Sequence, residues 1–141
     1  MQLKRQEIRE KVMEALYSCL IKEKANDNYD PREVLADVFD SEAYDNIDVF
    51  AREIFVRALV NKTEIISSVE EHLNRWTFDR LNTIAQAIFL LAVSECNYSE
   101  LTEKPIVINC SVDLAKKYLD SKDYRYINAV LDKVLFNSAT K

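Results

Sequence analysis

Apolar residues recur three and four positions apart along most of this chain, which is the period of an amphipathic helix. Ile8, Val12, Met13, Leu16, Cys19 and Leu20 form the first such stripe and predict a helix over about residues 3–24. Asn26 to Asp30 break the pattern. Asp30-Pro31-Arg32-Glu33 then offers an N-cap acceptor, a first-turn proline and an acid at the third helical position, a capping-box pattern. The short helix it opens carries Val34, Leu35, Val38 and Phe39. From about Ile47 to Arg75 the stripe Phe50, Ile54, Leu59, Ile65, Ile66, Val69 and Leu73 predicts a long helical stretch with a bend near Asn61–Thr63. Thr77 is positioned to cap the next helix, striped by Leu81, Ile84, Ile88, Leu91 and Ala92. Between Ile84 and Val93 only Gln86 is polar, and a helix apolar on nearly every side belongs at the centre of a fold. Pro105 falls in the first turn of a helix with Val107, Cys110, Ser111, Leu114 and Tyr118 on one face, so Tyr118 reads as core. Ser121 is positioned to cap a last helix striped by Ile127, Val130, Leu131 and Val134. The pattern predicts an all-α protein, a compact bundle of six to seven helices with short linkers, forming one domain over residues 1–141.

Composition sharpens this reading. Glycine is absent and proline occurs twice. Hairpin turns and bulges call for glycine, so its absence favours helices over sheets. The net charge of -5 argues against a general nucleic-acid binder, but the charge is uneven. Asp27 to Asp48 holds eight acidic residues and one basic residue, Arg32, and the remainder of the chain is slightly positive. An anionic partner therefore has to dock outside that segment. Cys19, Cys96 and Cys110 are odd in number and lie within apolar helical patterns, so they read as buried free thiols in a reducing compartment. The charged N-terminal stretch does not read as a signal peptide, and the longest apolar run, Ala87 to Val93, is far below the roughly 20 residues of a membrane span. A cytoplasmic location without membrane contact is expected.

The signatures of catalysis are absent. A chain without glycine has no glycine-rich phosphate loop of either common kind. His72 is the only histidine and reads as a surface or boundary residue; no second histidine at helical spacing makes a zinc-hydrolase motif with it. None of the cysteines forms a CxxC pair. The expectation is a binding protein with no catalytic residues, no metal and no cofactor.

Two basic stretches could form its surface. Arg5 and Arg9 are four apart and prolong the line of Val12 and Leu16 past the end of the core. The second stretch interleaves charge with aromatic rings: Lys116, Lys117, Tyr118, Lys122, Tyr124, Arg125 and Tyr126. That mixture suits single-stranded RNA, where cations hold phosphates and rings stack on unpaired bases. Tyr124 and Tyr126 are two apart and face different sides of a helix, so one of them is expected to be exposed. Arg5, Arg9, Lys122, Arg125 and Tyr126 are expected to share one face, where the start of the first helix meets the start of the last. Glu95 follows the apolar face of the central helix and needs a partner; Lys133 and Asn128 are the nominees.

Several of these segments resemble a known family. Val107-Ile-Asn109 through Ser111-Val-Asp-Leu-Ala-Lys116 is similar to the start of the penultimate helix of the NusB family, and Tyr126-Ile-Asn128-Ala-Val-Leu-Asp-Lys133 is similar to its closing motif. Trp76-Thr-Phe-Asp79-Arg80-Leu81, followed by Ala87-Ile88, Ala92 and Glu95, resembles its central helix, and Ala15-Leu16-Tyr17-Ser18 its first. The likeness spans nearly the whole chain in the family's order. It implies the NusB-like helical fold and transcription antitermination: binding of boxA-like single-stranded RNA in ribosomal-RNA transcripts, jointly with the ribosomal protein NusE, and through them an indirect link to the RNA polymerase elongation complex. It also implies RNA contacts at Arg5 and Arg9, at Arg125, and by stacking at Tyr126, with Tyr17 at the NusE interface. Lys4 and Lys122, cations beside these residues, are expected to contact RNA with them. The family pattern is broken by Gln6 and Glu7 within the arginine cluster, by Leu90 where an arginine is usual and by Ala85 where an acid is usual. Two other readings are a protein–protein adaptor or homodimer without RNA binding, and an accessory domain of an RNA methyltransferase.

Overall fold

The computed structural model describes residues 2–136. Seven α-helices follow one another among them: α1 (Arg5–Lys24), α2 (Pro31–Val38), α3 (Val49–Val60), α4 (Lys62–Glu70), α5 (Thr83–Val93), α6 (Lys104–Tyr118) and α7 (Ser121–Val134). Single 3-10 turns lie before α3 and before α5. The all-helical bundle expected from the apolar periodicity is the observed architecture, and no strand occurs among the described residues.

Local chemistry explains where the helices start and stop. Asp30 accepts a hydrogen bond from the Arg32 N–H (2.9 Å), and Pro31 follows at the first helical position, where its missing N–H costs nothing. Without glycine, the chain ends α1 and α2 with short polar residues in the left-handed region, Asn26 (φ 58°) and Asp40 (φ 51°). Each is followed by the paired backbone bonds of a Schellman cap, Asn26 to Glu23 with Asp27 to Lys22, and Asp40 to Asp37 with Ser41 to Ala36. The expected bend at Asn61–Thr63 is a break at Asn61 (φ -102°, ψ 19°), which separates α3 from α4. Two expected caps shift by a few residues. Thr77 precedes the 3-10 turn Phe78–Arg80 and donates to Asp79 Oδ1 (2.6 Å), while Asn82 caps α5 by accepting from the Ile84 N–H (2.8 Å). Ser121 is already helical, and Asp120 caps α7 by accepting from the Asp123 N–H (3.1 Å).

α5 is the axis of the bundle. All nine residues from Ala85 to Val93 are buried. That explains Leu90 and Ala85, which stand where a charged residue is usual but here face the interior. Helices α1, α3, α4, α6 and α7 pack around α5, whereas α2 packs on α1. Contacts at the two ends of α5 fix the directions of α1, α6 and α7. α1 runs antiparallel to it: Lys24 Nζ reaches Thr83 Oγ1 (2.8 Å) at one end, and Arg9 meets Glu95 at the other. α7 runs parallel to it, ending where Asn97 bonds the Val134 carbonyl (3.3 Å) and the Phe136 N–H (2.9 Å). α6 lies antiparallel to α7, with Lys104 Nζ on the Asp132 carbonyl (2.6 Å) and Lys116 over the Tyr124 ring.

Two aromatic expectations are corrected. Tyr118 is 40% exposed, not core, because the α6 stripe runs past the end of the interior at its last turn. Its hydroxyl donates to Glu10, which also pairs with Lys117 (2.8 Å), and this clasp fastens α6 to α1. The hydrogen bonds from Lys117 and Tyr118 hold the Glu10 carboxyl below its ordinary range, and the Tyr118 phenol is pushed up to about 12 by its bond to Glu10. Tyr124 and Tyr126 are both half-buried, so neither is fully on the surface.

Leu91 is 1% exposed at the centre of α5. Leu91→Ala is expected to lower unfolding free energy by about 2–5 kcal/mol in denaturant melts, the range for a buried leucine that leaves a cavity. A loss below about 1 kcal/mol would contradict the central position of α5.

Candidate nucleic-acid interface

The helical run of α5 does not stop at Val93. It continues as a π-helical turn from Ser94 to Tyr98, and a widened turn of this kind re-aims the side chains that follow it. Ser94 Oγ donates to the Ile54 carbonyl (2.6 Å), and Glu95 is turned inward until it is 1% exposed. A carboxylate so deep in the protein needs a cation with good geometry. Arg9 supplies it, with Nε 2.9 Å from Oε1 and 3.1 Å from Oε2, and Nη2 2.8 Å from Oε2. Neither Lys133 nor Asn128 fills this role, since both project outward from α7. Burial opposes the charge on Arg9, but the hydrogen bonds and charge of Glu95 outweigh it and raise its pKa further.

This pair changes the meaning of the N-terminal cluster. Arg9 is 7% exposed and its guanidinium is committed to Glu95, so it is not a free cation at the surface. The residues that interrupt the arginine run serve the same arrangement. Gln6 donates to the Cys110 carbonyl (2.9 Å) and accepts from Arg9 Nη1 (3.3 Å), and Glu7 accepts from the Lys4 backbone N–H (2.9 Å) to cap α1. Arg5 lies with its guanidinium 3.9 Å from the centre of the Phe50 ring, beside Asp48 and Glu53. Lys4 and Arg5 remain exposed.

The second basic stretch lies elsewhere. Lys122, Arg125 and Tyr126 line a groove of about 580 Å³ together with Trp76, Arg80, Leu81, Asn82 and Asp123. This groove sits at the N-terminal end of α5, whereas Arg5 and Arg9 sit at its C-terminal end. From Thr83 to Glu95 the helical rise is about 18 Å. The single face expected to join Arg5 and Arg9 to Lys122, Arg125 and Tyr126 is therefore not formed; the start of α1 meets α3, α6 and the end of α5 instead. Arg80, Lys122 and Arg125 are exposed, and among the described residues none of the three is in an ion pair. Tyr126 is anchored by its hydroxyl, which donates to the Leu73 carbonyl (3.3 Å). Trp76 and Arg80 entered the sequence reading only within the segment that resembles the family's central helix, not as site residues. The available signal was their place in the segment before α5, where a large ring and a cation fall outside any apolar stripe.

Tyr17 is 38% exposed, and Ile21, one turn on, is 42% exposed. They form an apolar strip on the outer side of α1.

A family model described as the NusB family matches residues 6–136. The chain belongs to the NusB family. Among its relatives is the transcription antitermination protein NusB of Macrococcus caseolyticus, 36% identical over 94 residues, which covers 67% of this chain and 72% of that protein. The NusB of Listeria welshimeri is 29% identical over 132 residues, 94% of this chain and 96% of that one. A solved structure described as the antitermination factors NusB and NusE in complex with double-stranded RNA superposes with a TM-score of 0.77 at 26% identity, covering 92% of this chain and 94% of that one. The NusB family is one of transcription antitermination factors and not an enzyme family.

The Arg9–Glu95 pair makes a direct prediction. Arg9→Ala leaves a carboxylate buried without a partner and is expected to cost about 3–5 kcal/mol. Arg9→Ala combined with Glu95→Ala is expected to recover part of that loss, so a double-mutant cycle in denaturant melts should report strong coupling. Additive effects would contradict the pair.

Proposed function

We propose that this chain is a non-catalytic transcription antitermination factor that binds boxA-like single-stranded RNA jointly with NusE and acts through them on the RNA polymerase elongation complex. Family membership over residues 6–136 supports the activity, and the likeness to a NusB–NusE–RNA complex at 26% identity supports the partners. The observation that carries the proposal to particular residues is the groove at the start of α7. It brings together an anchored Tyr126 and three cations that make no ion pair among the described residues. Lys122 and Arg125 are assigned to phosphates, and Tyr126 to stacking on a base. Lys4 and Arg5 form a second, smaller phosphate contact about 20 Å away, the length of α5 and its extension. Arg9 acts on RNA only by holding α1 in place. Tyr17, with Ile21, is assigned to the NusE-facing side. The aromatic wall of the groove favours unpaired RNA, since paired bases have no free face to offer a ring.

An adaptor or homodimer without RNA binding is the competing reading. It is favoured by the sequestered Arg9 and by Val49 and Val60 on α3, 70% and 73% exposed, which suit a protein partner.

Salt dependence separates the two. With three or four phosphate contacts on a single strand, log affinity is expected to fall against log salt with a slope of roughly -2 to -3. Arg125→Ala should flatten that slope by about 0.7, the loss of one contact. Tyr126→Ala should weaken binding by about 1–3 kcal/mol and leave the slope unchanged. Arg9→Ala, measured below its melting temperature, should also leave the slope unchanged. If a boxA-like strand binds no more tightly than an unrelated strand in the presence of NusE, the antitermination reading fails and the adaptor reading replaces it.

A further inference from the structure

Trp76 is the only tryptophan in the chain, and it is 56% exposed. A tryptophan ring left this open gives up much of the apolar burial that it could supply to the core. The core beside it is well made, because Leu73, three residues earlier, is fully buried. The exposure is therefore not a consequence of loose packing at this point.

The ring also lies in a constrained stretch of backbone. The Trp76 N–H donates to the Leu73 carbonyl (3.1 Å), and the Tyr126 hydroxyl donates to the same carbonyl oxygen (3.3 Å). Two aromatic residues from distant parts of the chain are thus tied to one atom of a buried residue. Between Leu73 and Trp76 the turn passes through Asn74 at φ 60°, a left-handed conformation that asparagine tolerates better than most residues. Both residues line the groove, whose volume of about 580 Å³ lies within the range of ~300–1,000 Å³ found for small-ligand sites. Arg80, Lys122 and Arg125 surround the rings, and among the described residues Asp123 is the only acid that lines the groove. Asp79, next to Arg80, is engaged by the Thr77 hydroxyl.

We propose that Trp76 and Tyr126 together form a receptacle for one unpaired RNA base, with Trp76 as its principal stacking surface and Arg80 as an additional phosphate contact. The proposal rests on the RNA-binding reading above and adds the residues that receive the base. Preorganisation explains why the backbone at Trp76 and the hydroxyl of Tyr126 are tethered: a platform whose backbone and facing ring are already held in place loses little freedom when a base docks on it. Indole offers a broader face than phenol, and stacking tolerates any base, so this receptacle contributes affinity for single strands without demanding a particular sequence. The three cations select an anionic strand over a free apolar ligand or an acidic peptide.

Trp76 reports on its own occupancy. A boxA-like single strand is titrated into the full chain with NusE present, following both the anisotropy of a label on the RNA and tryptophan emission, with the Trp76→Phe complex as the emission blank. Emission should be quenched along the same isotherm as the anisotropy. Trp76→Ala should weaken binding at least ~5-fold with the salt slope unchanged, and Trp76→Phe should restore most of the affinity. Because the side chain is largely exposed, thermal melts of both variants should match the parent; if Trp76→Ala melts lower, the Trp76→Phe comparison and the emission titration still decide. A fully paired strand of the same sequence should give no quenching. Strong anisotropy with unquenched emission and unaltered affinity of Trp76→Ala would overturn the receptacle and leave the RNA-binding reading standing. Equal quenching by the duplex would overturn its restriction to unpaired bases. No anisotropy change at all would remove the RNA-binding reading, and the receptacle with it.

Discussion

A helix buried on every side imposes its needs on everything around it. α5 offers nine consecutive buried residues and no face to water, so α1, α3, α4, α6 and α7 pack against it in turn. The same burial extends into the π-helical turn and carries Glu95 inward, where its charge must be met. Arg9 meets it from α1, and that pair sets the depth and direction of α1 against the centre of the fold. The consequence reaches the surface. A cation spent on a buried carboxylate cannot also hold a phosphate, so the N-terminal cluster of Lys4, Arg5 and Arg9 is left with Lys4 and Arg5 as its outward cations. The weight of any RNA contact then moves to the far end of α5.

That far end is built by three separate stretches of chain. The turn after α4 presents Trp76, the 3-10 turn before α5 presents Arg80, and the first turns of α7 present Lys122, Arg125 and Tyr126. The Leu73 carbonyl joins the first and the last. Placing a functional surface on the ends of packed helices gives it the stiffness of the core without burying its cations. The acidic stretch from Asp27 to Asp48 covers α2 and its flanks and reaches Arg5 through Asp48, whereas Asp123 is the one acid among the described residues lining the groove. This suits the groove better than the start of α1 as the main RNA contact of a protein with net charge -5.

Helical spacing in the sequence was enough to read an all-helical chain, because burial on one helix face leaves a period that a strand does not share. The central position of α5 was equally legible from Ile84 to Val93, where only Gln86 is polar. The need of Glu95 for a partner could be argued from its place on an apolar face, but the partner could not. Arg9 is 86 positions away, and its approach depends on the antiparallel course of α1 and on a π turn that leaves no mark in local propensity. The same limit explains the expected common face of Arg5 and Tyr126. Each belongs to the start of a helix, and nothing in a one-dimensional pattern says that those two starts lie at opposite ends of α5. Tyr118 illustrates a smaller limit: the stripe is correct in angle, but the interior ends before the helix does.

The central claim is that RNA meets the start of α7 while Arg9 stays on Glu95. A proton–nitrogen correlation spectrum that includes arginine Nε–H groups, recorded as a single-stranded boxA-like RNA is added in the presence of NusE, tests it most directly. The account predicts shifts at residues 76–82 and 122–126 and at the Arg125 Nε–H, with the Arg9 Nε–H signal unmoved and protected from solvent. A large shift of the Arg9 Nε–H with residues 122–126 unchanged would contradict it.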